Sequence, residues 1–236
     1  EFVPRLQHSI RGAIVQRSTS TARLERRVVT TRHGRAIARV GPSRLSAGLA
    51  SKRSRAMATT CAMQEGSYGL GEHATKRGSC RIRVATADDA GTIRALIVAL
   101  AIYEKEPAET VEVTEDELRR DGWGPRPIFR CLLAELGGVA VGFALFHDTY
   151  STWQGRCCYL EDLYVDEAAR GAGVGTLLLK TVAAIAHADG CKRMNWQALD
   201  WNTPALDFYA ALGAARMDAW VNLRLDRETL PKVLGL

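Results

Sequence analysis

The sequence has no run of about 18 consecutive apolar residues. Its longest, ALIVALAI at 95–102, is the length of a buried helix, so no membrane-spanning helix is expected. Aromatics are few, 7% of 236 residues, against 47% apolar overall, which suits one globular domain of average size with something appended. No CxxC pair occurs among the six cysteines at 61, 80, 131, 157, 158 and 191. That argues against a disulfide framework and for reduced structural thiols in a cytosol-like compartment. Cys157 and Cys158 are adjacent in a strand pattern and should face opposite ways. The five histidines show no ligand spacing, so no metal is expected.

Acids are nearly missing from the first 56 residues, which hold 13 Lys and Arg against two. Residues 57–236 carry 19 against 24, so the net charge of +6 comes from the tail alone. The body is mildly acidic, and the pI of about 9.2 is no sign of nucleic-acid binding. An acidic body suits a cationic small substrate, or is simply solvated.

Three readings of residues 1–56 stay open. Arg, Ser and Thr with few acids resemble an organelle transit peptide, which would place the protein in a plastid or mitochondrion instead of the cytoplasm. No methionine precedes Met57 and the chain opens on Glu-Phe, the dipeptide of an in-frame EcoRI site, so the segment is alternatively non-native. The third reading is a basic nucleic-acid-binding arm. Residues 57–80 are rich in Gly, Ser and Thr and read as unstructured. The expected division is a basic, then Gly/Ser-rich, disordered segment 1–80 and a folded domain 81–236.

From Arg81 onward the patterns are regular. RIRV (81–84) alternates like a strand. Thr86 and Asp89 have capping-box spacing ahead of Ile93, Leu96, Ile97 and Leu100, which predicts a helix over 88–104. TEDELRRDG (114–122) reads as a short helix with early acids and late arginines. FRCLLAEL (129–136) and VAVGFALFHDTY (139–150) flank Gly137-Gly138, a hairpin signal, and RCCYLEDLYV (156–165) is the next strand. A helix marked by Leu178, Val182 and Ile185 stops at Gly190. KRMNWQAL (192–199) reads as a strand. Thr203 should cap a helix with Pro204 at its first position, ended by Gly213, and a last strand is expected near 218–225. The order β-α-α-β-β-β-α-β-α-β implies an α/β fold with a mixed, mostly antiparallel sheet and flanking helices.

Between the strand YLEDLYV and the following helix lies Arg170-Gly171-Ala172-Gly173-Val174-Gly175. Alternating glycines there expose backbone N–H groups at a helix N-terminus, a place suited to phosphate or pyrophosphate. The alternative is a flexible turn without a ligand. A P-loop would need Gly-Lys-Ser/Thr, whereas Gly175 precedes Thr176 and Leu177. A dinucleotide fingerprint would need glycine at 176 and a place after the first strand.

R-x-x-G-x-G after such a strand resembles the acetyl-CoA loop of the GNAT superfamily of N-acetyltransferases. TYSTWQGRCCYLEDLYV, RGAGVG, ALDWNTPALDFY and LGA resemble the diamine (spermidine/spermine) acetyltransferases within it, including thialysine- and ornithine-type members. The likeness runs over roughly 81–225. It implies the GNAT fold, acetyl-CoA as co-substrate, and a homodimer. It further implies direct transfer of acetyl to a primary amine of a diamine, polyamine or amino acid with a side-chain amine.

The resemblance also assigns residues. The pantetheine arm would lie along Leu163, Tyr164 and Val165. The pyrophosphate would sit on the amides of Gly171, Ala172, Gly173, Val174, Gly175 and Thr176, with Arg170 adding charge-assisted bonds. Asn202 matches a CoA contact, beside Thr203, Pro204 and Ala205. Glu161 matches the carboxylate that takes the ammonium proton, and its alternation partner Asp162 is expected to face the other way. Tyr209 matches the acid that protonates the departing thiolate. On the residues alone it reads rather as a core aromatic in the stripe Ala205, Phe208, Tyr209, Leu212. Tyr103, Glu104, Asn195, Trp196 and Gln197 match substrate contacts, Asp218 and Trp220 less firmly. ARMDAW is shorter and less acidic than its family counterpart, so a preference for polyamine length does not carry over. An acetyltransferase of protein amines, or a CoA-binding module without catalysis, are the competing readings. The presence of both Glu161 and Tyr209 argues against the inactive module.

Overall fold

A computed structural model of the chain describes residues 63–235; the three readings of residues 1–56 lie outside the described residues. Its frame is one six-stranded sheet whose strand order follows the chain. The strands are β1 (Gly71–Thr75), β2 (Gly78–Val84), β3 (Arg130–Leu136), β4 (Val139–Ser151), β5 (Gly155–Val165) and β6 (Met194–Asn195). The first five pair antiparallel with their neighbours, and β6 runs parallel to β5. That parallel step requires a crossover, which α3 (Val174–Ala188) supplies. The mixed α/β architecture read from the sequence is the one observed.

Alternation along the strands divides the core in two. Ile82, Leu132, Phe146 and Leu160 pack on one face against Leu178, Val182 and Ile185 of α3. Leu133, Phe143 and Leu145 face the other way, onto α1 (Ala90–Tyr103) and α2 (Glu115–Trp123) through Ile93, Leu96 and Leu118. Helices therefore cover both faces of the sheet. The start of α1 is tied down as its spacing predicted: Thr86 N donates to Asp89 Oδ2 at 2.7 Å. Arg83 forks onto the same carboxylate at 2.8 Å per bond and reaches Glu135 at 2.7 Å. Those bonds hold the Asp89 carboxyl down at about 2. A second capping box, Thr114 with Glu117, starts α2. Gly137 and Gly138 turn the β3–β4 hairpin with φ of 58° and 81°, a left-handed pair that only glycine adopts without strain.

Five differences from the expected elements have local causes. First, structure begins before Arg81, since β1 and β2 form a hairpin across Lys76-Arg77 with Thr75 opposite Gly78. Leu70 and Cys80 are buried in the core there, an anchoring that a Gly- and Ser-rich composition conceals. Second, the strand expected over 192–199 shrinks to two residues, Met194 and Asn195, because β5 keeps a parallel partner only as far as Tyr159. Third, residues 218–225 form no strand. Trp220, Val221 and Leu223 are exposed, so the alternating pattern is present but stays unpaired. Fourth, the helix expected to be capped by Thr203, α4 (Thr203–Ala211), is capped by Asn202, whose Oδ1 accepts from Ala205 N at 3.3 Å. Fifth, a last short helix, α5 (Leu230–Val233), had no counterpart among the expected elements.

The five described cysteines are free thiols. Burial pushes Cys158 up to about 12 and Cys131 further in the same direction, so neither behaves as a nucleophile.

Candidate active site

The register between β4 and β5 slips by one residue in mid-strand. Leu145 pairs with Asp162 while Phe146 pairs with Leu160, leaving Glu161 as the extra residue of a β-bulge. The bulge suspends strict alternation, so Glu161 and Asp162 both line one cleft of about 480 Å3. This corrects the expectation that one acid of the pair turns away. Beyond the bulge, Leu163, Tyr164 and Val165 have no β6 partner, because pairing with β6 ends at Tyr159 and Asn195. Gln197, Ala198 and Leu199 form the facing wall. The sheet opens at this point, and the gap is the cleft.

One end of the cleft is built from helix N-termini. After β5, a single 3-10 turn (Glu167–Ala169) leads into Arg170 and the glycines. Gly171 and Gly173 have φ of 73° and 96° and need glycine; Gly175 does not. A Cβ on Gly175 would sit 3.7 Å from Val165 Cγ2, an ordinary contact, so its bareness suits close approach by a ligand. The first ladder bond of α3 runs from Leu177 N to Gly173 O at 3.1 Å. The amides of Val174, Gly175 and Thr176 precede it and carry the partial positive charge of the helix end. Ala172 points into the core instead, 5% exposed. Arg170 donates from Nε to Val165 O at 2.9 Å. Its guanidinium lies 4.2 Å from the Tyr103 ring centroid and 5.7 Å from that of Tyr164. Two aromatic faces and a carbonyl thus fix the plane of this cation.

The N-terminus of α4 borders the same cleft through Asn202, Pro204 and Ala205. Asn202 Oδ1 also accepts from Tyr103 Oη at 3.0 Å, which ties α1 to α4 across the cleft. Lys105 Nζ sits 3.8 Å above the Trp201 ring beside that contact. One helical turn further along α4, Tyr209 packs between Trp196 and Phe208, each with a ring-centroid distance of 5.2 Å. Burial, then the Glu104 charge, pushes the Tyr209 phenol up to about 12.

Three carboxylates gather in one part of the cleft. Burial, followed by the charges of Glu161 and Glu104, raises Asp162 to about 7. Burial and then Glu106 also raise Glu104. Like charges in a partly closed space cost energy unless a cation joins them, so this part is built for positive charge. Outside the lining, His147 Nε2 lies 3.3 Å from Glu161 Oε2.

Of the residues singled out in the sequence, the cleft gathers Glu161, Tyr209, Leu163, Tyr164, Val165, Arg170, Gly171, Gly173, Val174, Gly175, Thr176, Asn202, Pro204, Ala205, Tyr103, Glu104 and Gln197. It does not gather the other six. Ala172 is in the core, Thr203 is exposed on the first turn of α4, and Asn195 is held in the short ladder. Trp196 packs behind Tyr209, Asp218 is exposed and paired with Arg216 at 3.1 Å, and Trp220 is exposed. Sequence reasoning missed Leu100, Ala169, Ala198, Leu199 and Phe208 as lining, and underrated Asp162. Phe208 alone was legible, through its place in the aromatic stripe of α4.

The chain matches the model of the acetyltransferase (GNAT) family over residues 97–214. Thialysine N-epsilon-acetyltransferase of Mus musculus is 39% identical over 168 residues, covering 66% of this chain and 98% of that protein. Spermidine/spermine N(1)-acetyltransferase-like protein 1 of Homo sapiens is 37% identical over 160 residues, 64% of this chain but 23% of that longer protein. Among solved structures, ribosomal-protein-alanine N-acetyltransferase of Brucella melitensis superposes with a TM-score of 0.51 at 22% identity, covering 62% of this chain and 98% of that one. An integron cassette protein of V. cholerae gives 0.56 at 22% identity, over 66% and 98%. At such identities the structural likeness speaks for the fold alone, while the curated relatives and the family match speak for the chemistry. The chain belongs to the GNAT family of acetyltransferases and is an acetyl-CoA-dependent N-acetyltransferase.

Proposed function

We propose that the cleft takes acetyl-CoA and a small cationic amine together and passes the acetyl group directly from sulfur to nitrogen. The observation that carries this reading is the polarity of one continuous cavity. Two helix N-termini and Arg170 line it together with Glu104, Glu161 and Asp162, three carboxylates whose charges act on one another. Anionic phosphates and a cationic amine sort themselves accordingly. Diamines, polyamines and amino acids with a side-chain amine fit that description, and the names of the curated relatives support it.

In this reading, Arg170 and the amides of Gly171 to Thr176 hold the phosphates, and the unpaired edge of Leu163–Val165 lies along the pantetheine arm. Asn202, Pro204 and Ala205 border its path. Glu104 and Gln197 contact the amine, while Tyr103 holds Arg170 and Asn202 in place. An alkylammonium has no lone pair, so Glu161 must remove a proton before attack. Asp162, raised to about 7, shares that field and draws the cation in. Tyr209, half-buried and protonated, donates to the sulfur as the C–S bond breaks. Ala172, Asn195, Trp196 and Thr203 act in this scheme as supports for the residues beside them.

A homodimer completes the reading. Exposed Met217, Trp220, Val221, Leu223 and Leu225 form an apolar segment of the kind a subunit interface covers. Light scattering on the purified chain tests that point, a monomeric mass overturning it. The free cysteines accord with a cytosol-like compartment.

Initial rates of CoA release test the activity over a panel of thialysine, spermidine, ornithine and lysine, varying both substrates. Intersecting double-reciprocal lines with at least one of these amines are expected. Parallel lines would indicate an acetyl-enzyme instead, and turnover only on peptide amines would move the substrate to proteins.

A further inference from the structure

His147 lines none of the cleft, yet it is the side chain the structure places on the proposed base. It stands on β4 opposite Tyr159 of β5, just past the bulge, and its ring lies 5.4 Å from that of Tyr159 at 33°. The bulge swings Glu161 across to it, so that Nε2 and Oε2 are 3.3 Å apart. The other nitrogen, Nδ1, lies 3.3 Å from the carbonyl oxygen of Asp148. Both ring nitrogens thus face oxygens that only accept, the Asp148 carbonyl and the Glu161 carboxylate. The neutral ring can donate to one of them, and the imidazolium to both. A proton arriving at Glu161 therefore has a place on the ring, and the pair is built to share one.

Exposure gives the sharing a direction. Glu161 is 55% exposed and lines the cleft, so an amine bound there displaces its water. His147 is 31% exposed and outside the lining, so its solvent contact survives substrate binding. The charged and titratable groups around His147 are Glu161 and Tyr159 on β5 and Asp148 on its own strand. The Asp148 side chain is occupied by Arg130 of β3 and Arg156 of β5. Glu161 is thus the carboxylate with which His147 exchanges a proton.

We propose that His147 is a positioning residue for Glu161 and its proton outlet, an assignment that rests on the acetyltransfer reading above. The ammonium gives a proton to Glu161 Oε2, Glu161 passes it to His147 Nε2, and the imidazolium releases it to solvent. The freed lone pair forms the C–N bond as the C–S bond breaks. The nitrogen's second proton replaces the one Tyr209 gives to sulfur. Ammonium and thioester thereby yield amide, thiol and one released proton, which is the proton His147 carries.

The test uses the full chain with His147→Gln and His147→Ala, assayed by CoA release at pH 7 in a weak buffer and then with rising imidazole. Wild-type kcat should not depend on imidazole. Both variants should lose on the order of tenfold in kcat, less than a full general base is worth because water can accept the proton slowly. Their KM for acetyl-CoA should stay within about twofold, since the cofactor end of the cleft is untouched. Imidazole should restore kcat saturably in His147→Ala, a response that a packing role would not produce. A loss indifferent to imidazole, or no loss at all, overturns the relay while leaving acetyltransfer intact. A wild-type protein that acetylates no amine sinks the acetyltransfer reading and the relay with it.

Discussion

Replacing Tyr209 by Phe removes one oxygen and leaves the ring between Trp196 and Phe208, with both 5.2 Å stacking contacts available to the phenyl group. The magnitude follows from how strongly the cleft holds the phenolic proton. Tyr209 stands at about 12, whereas an ordinary thiol ionises near 8.5. Outright transfer to the departing thiolate is therefore uphill by about 3.5 pK units, about 5 kcal/mol at 1.36 kcal/mol per unit. Transfer becomes feasible only as the nitrogen proton of the intermediate moves in behind it. The contribution of Tyr209 is then that of a hydrogen bond to a developing charge, about 1.5–3 kcal/mol. That corresponds to a kcat lower by about 10- to 150-fold.

The assay is CoA release with a thiol-reactive dye, both substrates varied, alongside a thermal melt. KM for each substrate should stay within about threefold, because the lost interaction forms only as the thiolate departs. A phenol at about 12 stays protonated through the working range, so Tyr209 should produce no fall in wild-type rate below about pH 10.5. A Tyr209→Phe enzyme with near-normal kcat would refute the reasoning, returning the ring to a packing role and leaving the thiolate to solvent.

Other perturbations separate the remaining parts. Arg170→Ala should raise KM for acetyl-CoA by about 10- to 150-fold while sparing the amine, as loss of one charge-assisted contact predicts; an unchanged KM would make the arginine a strut between Tyr103 and Val165. Glu161→Gln should depress kcat/KM for the amine most at low pH, where the amine is most protonated, and a loss equal at every pH would assign Glu161 to binding alone. Asp162 is raised from about 3.8 to about 7, so the folded state binds its proton more tightly than the unfolded one, and stability declines as pH rises from about 4 to 7. Asp162→Asn should therefore match the wild-type melting temperature near pH 4 and exceed it by about 3–6 °C at pH 8, from about 1–2 kcal/mol. An equal difference at both pH values would show that ionisation is not its origin. A fluorescent protein carrying residues 1–56 should enter an organelle if they form a transit peptide, and diffuse fluorescence argues for a non-native segment.

The features that could be read directly are those whose cause lies within a few residues. Thr86 with Asp89 and Thr114 with Glu117 each close a capping box over three residues. Gly137-Gly138 turns a hairpin because two consecutive left-handed φ values admit little else. The glycine loop and the helix that follows it were legible for the same reason, and with them the part of the cleft lined by helix N-termini. Alternation in β3 puts Leu132 and Leu133 on opposite faces of the sheet, each covered by helices.

What tertiary structure decided depends on partners remote in the chain. Whether YLED alternates or bulges is settled by the register of β4 against β5, and the slip at Leu145/Phe146 brings both acids to the cleft. β6 stops at Asn195 because β5 leaves it there, and the opening is what makes room for a ligand. Residues 218–225 show that an alternating pattern alone does not specify a strand, since this one stays unpaired although the sheet ends in the edge strand β6. The contact between His147 and Glu161 spans 14 positions and exists only through the bulge, so no local pattern announces it. Backbone geometry within a turn is written into neighbouring residues. Register, and the chemistry that register brings together, is fixed only once the strands meet.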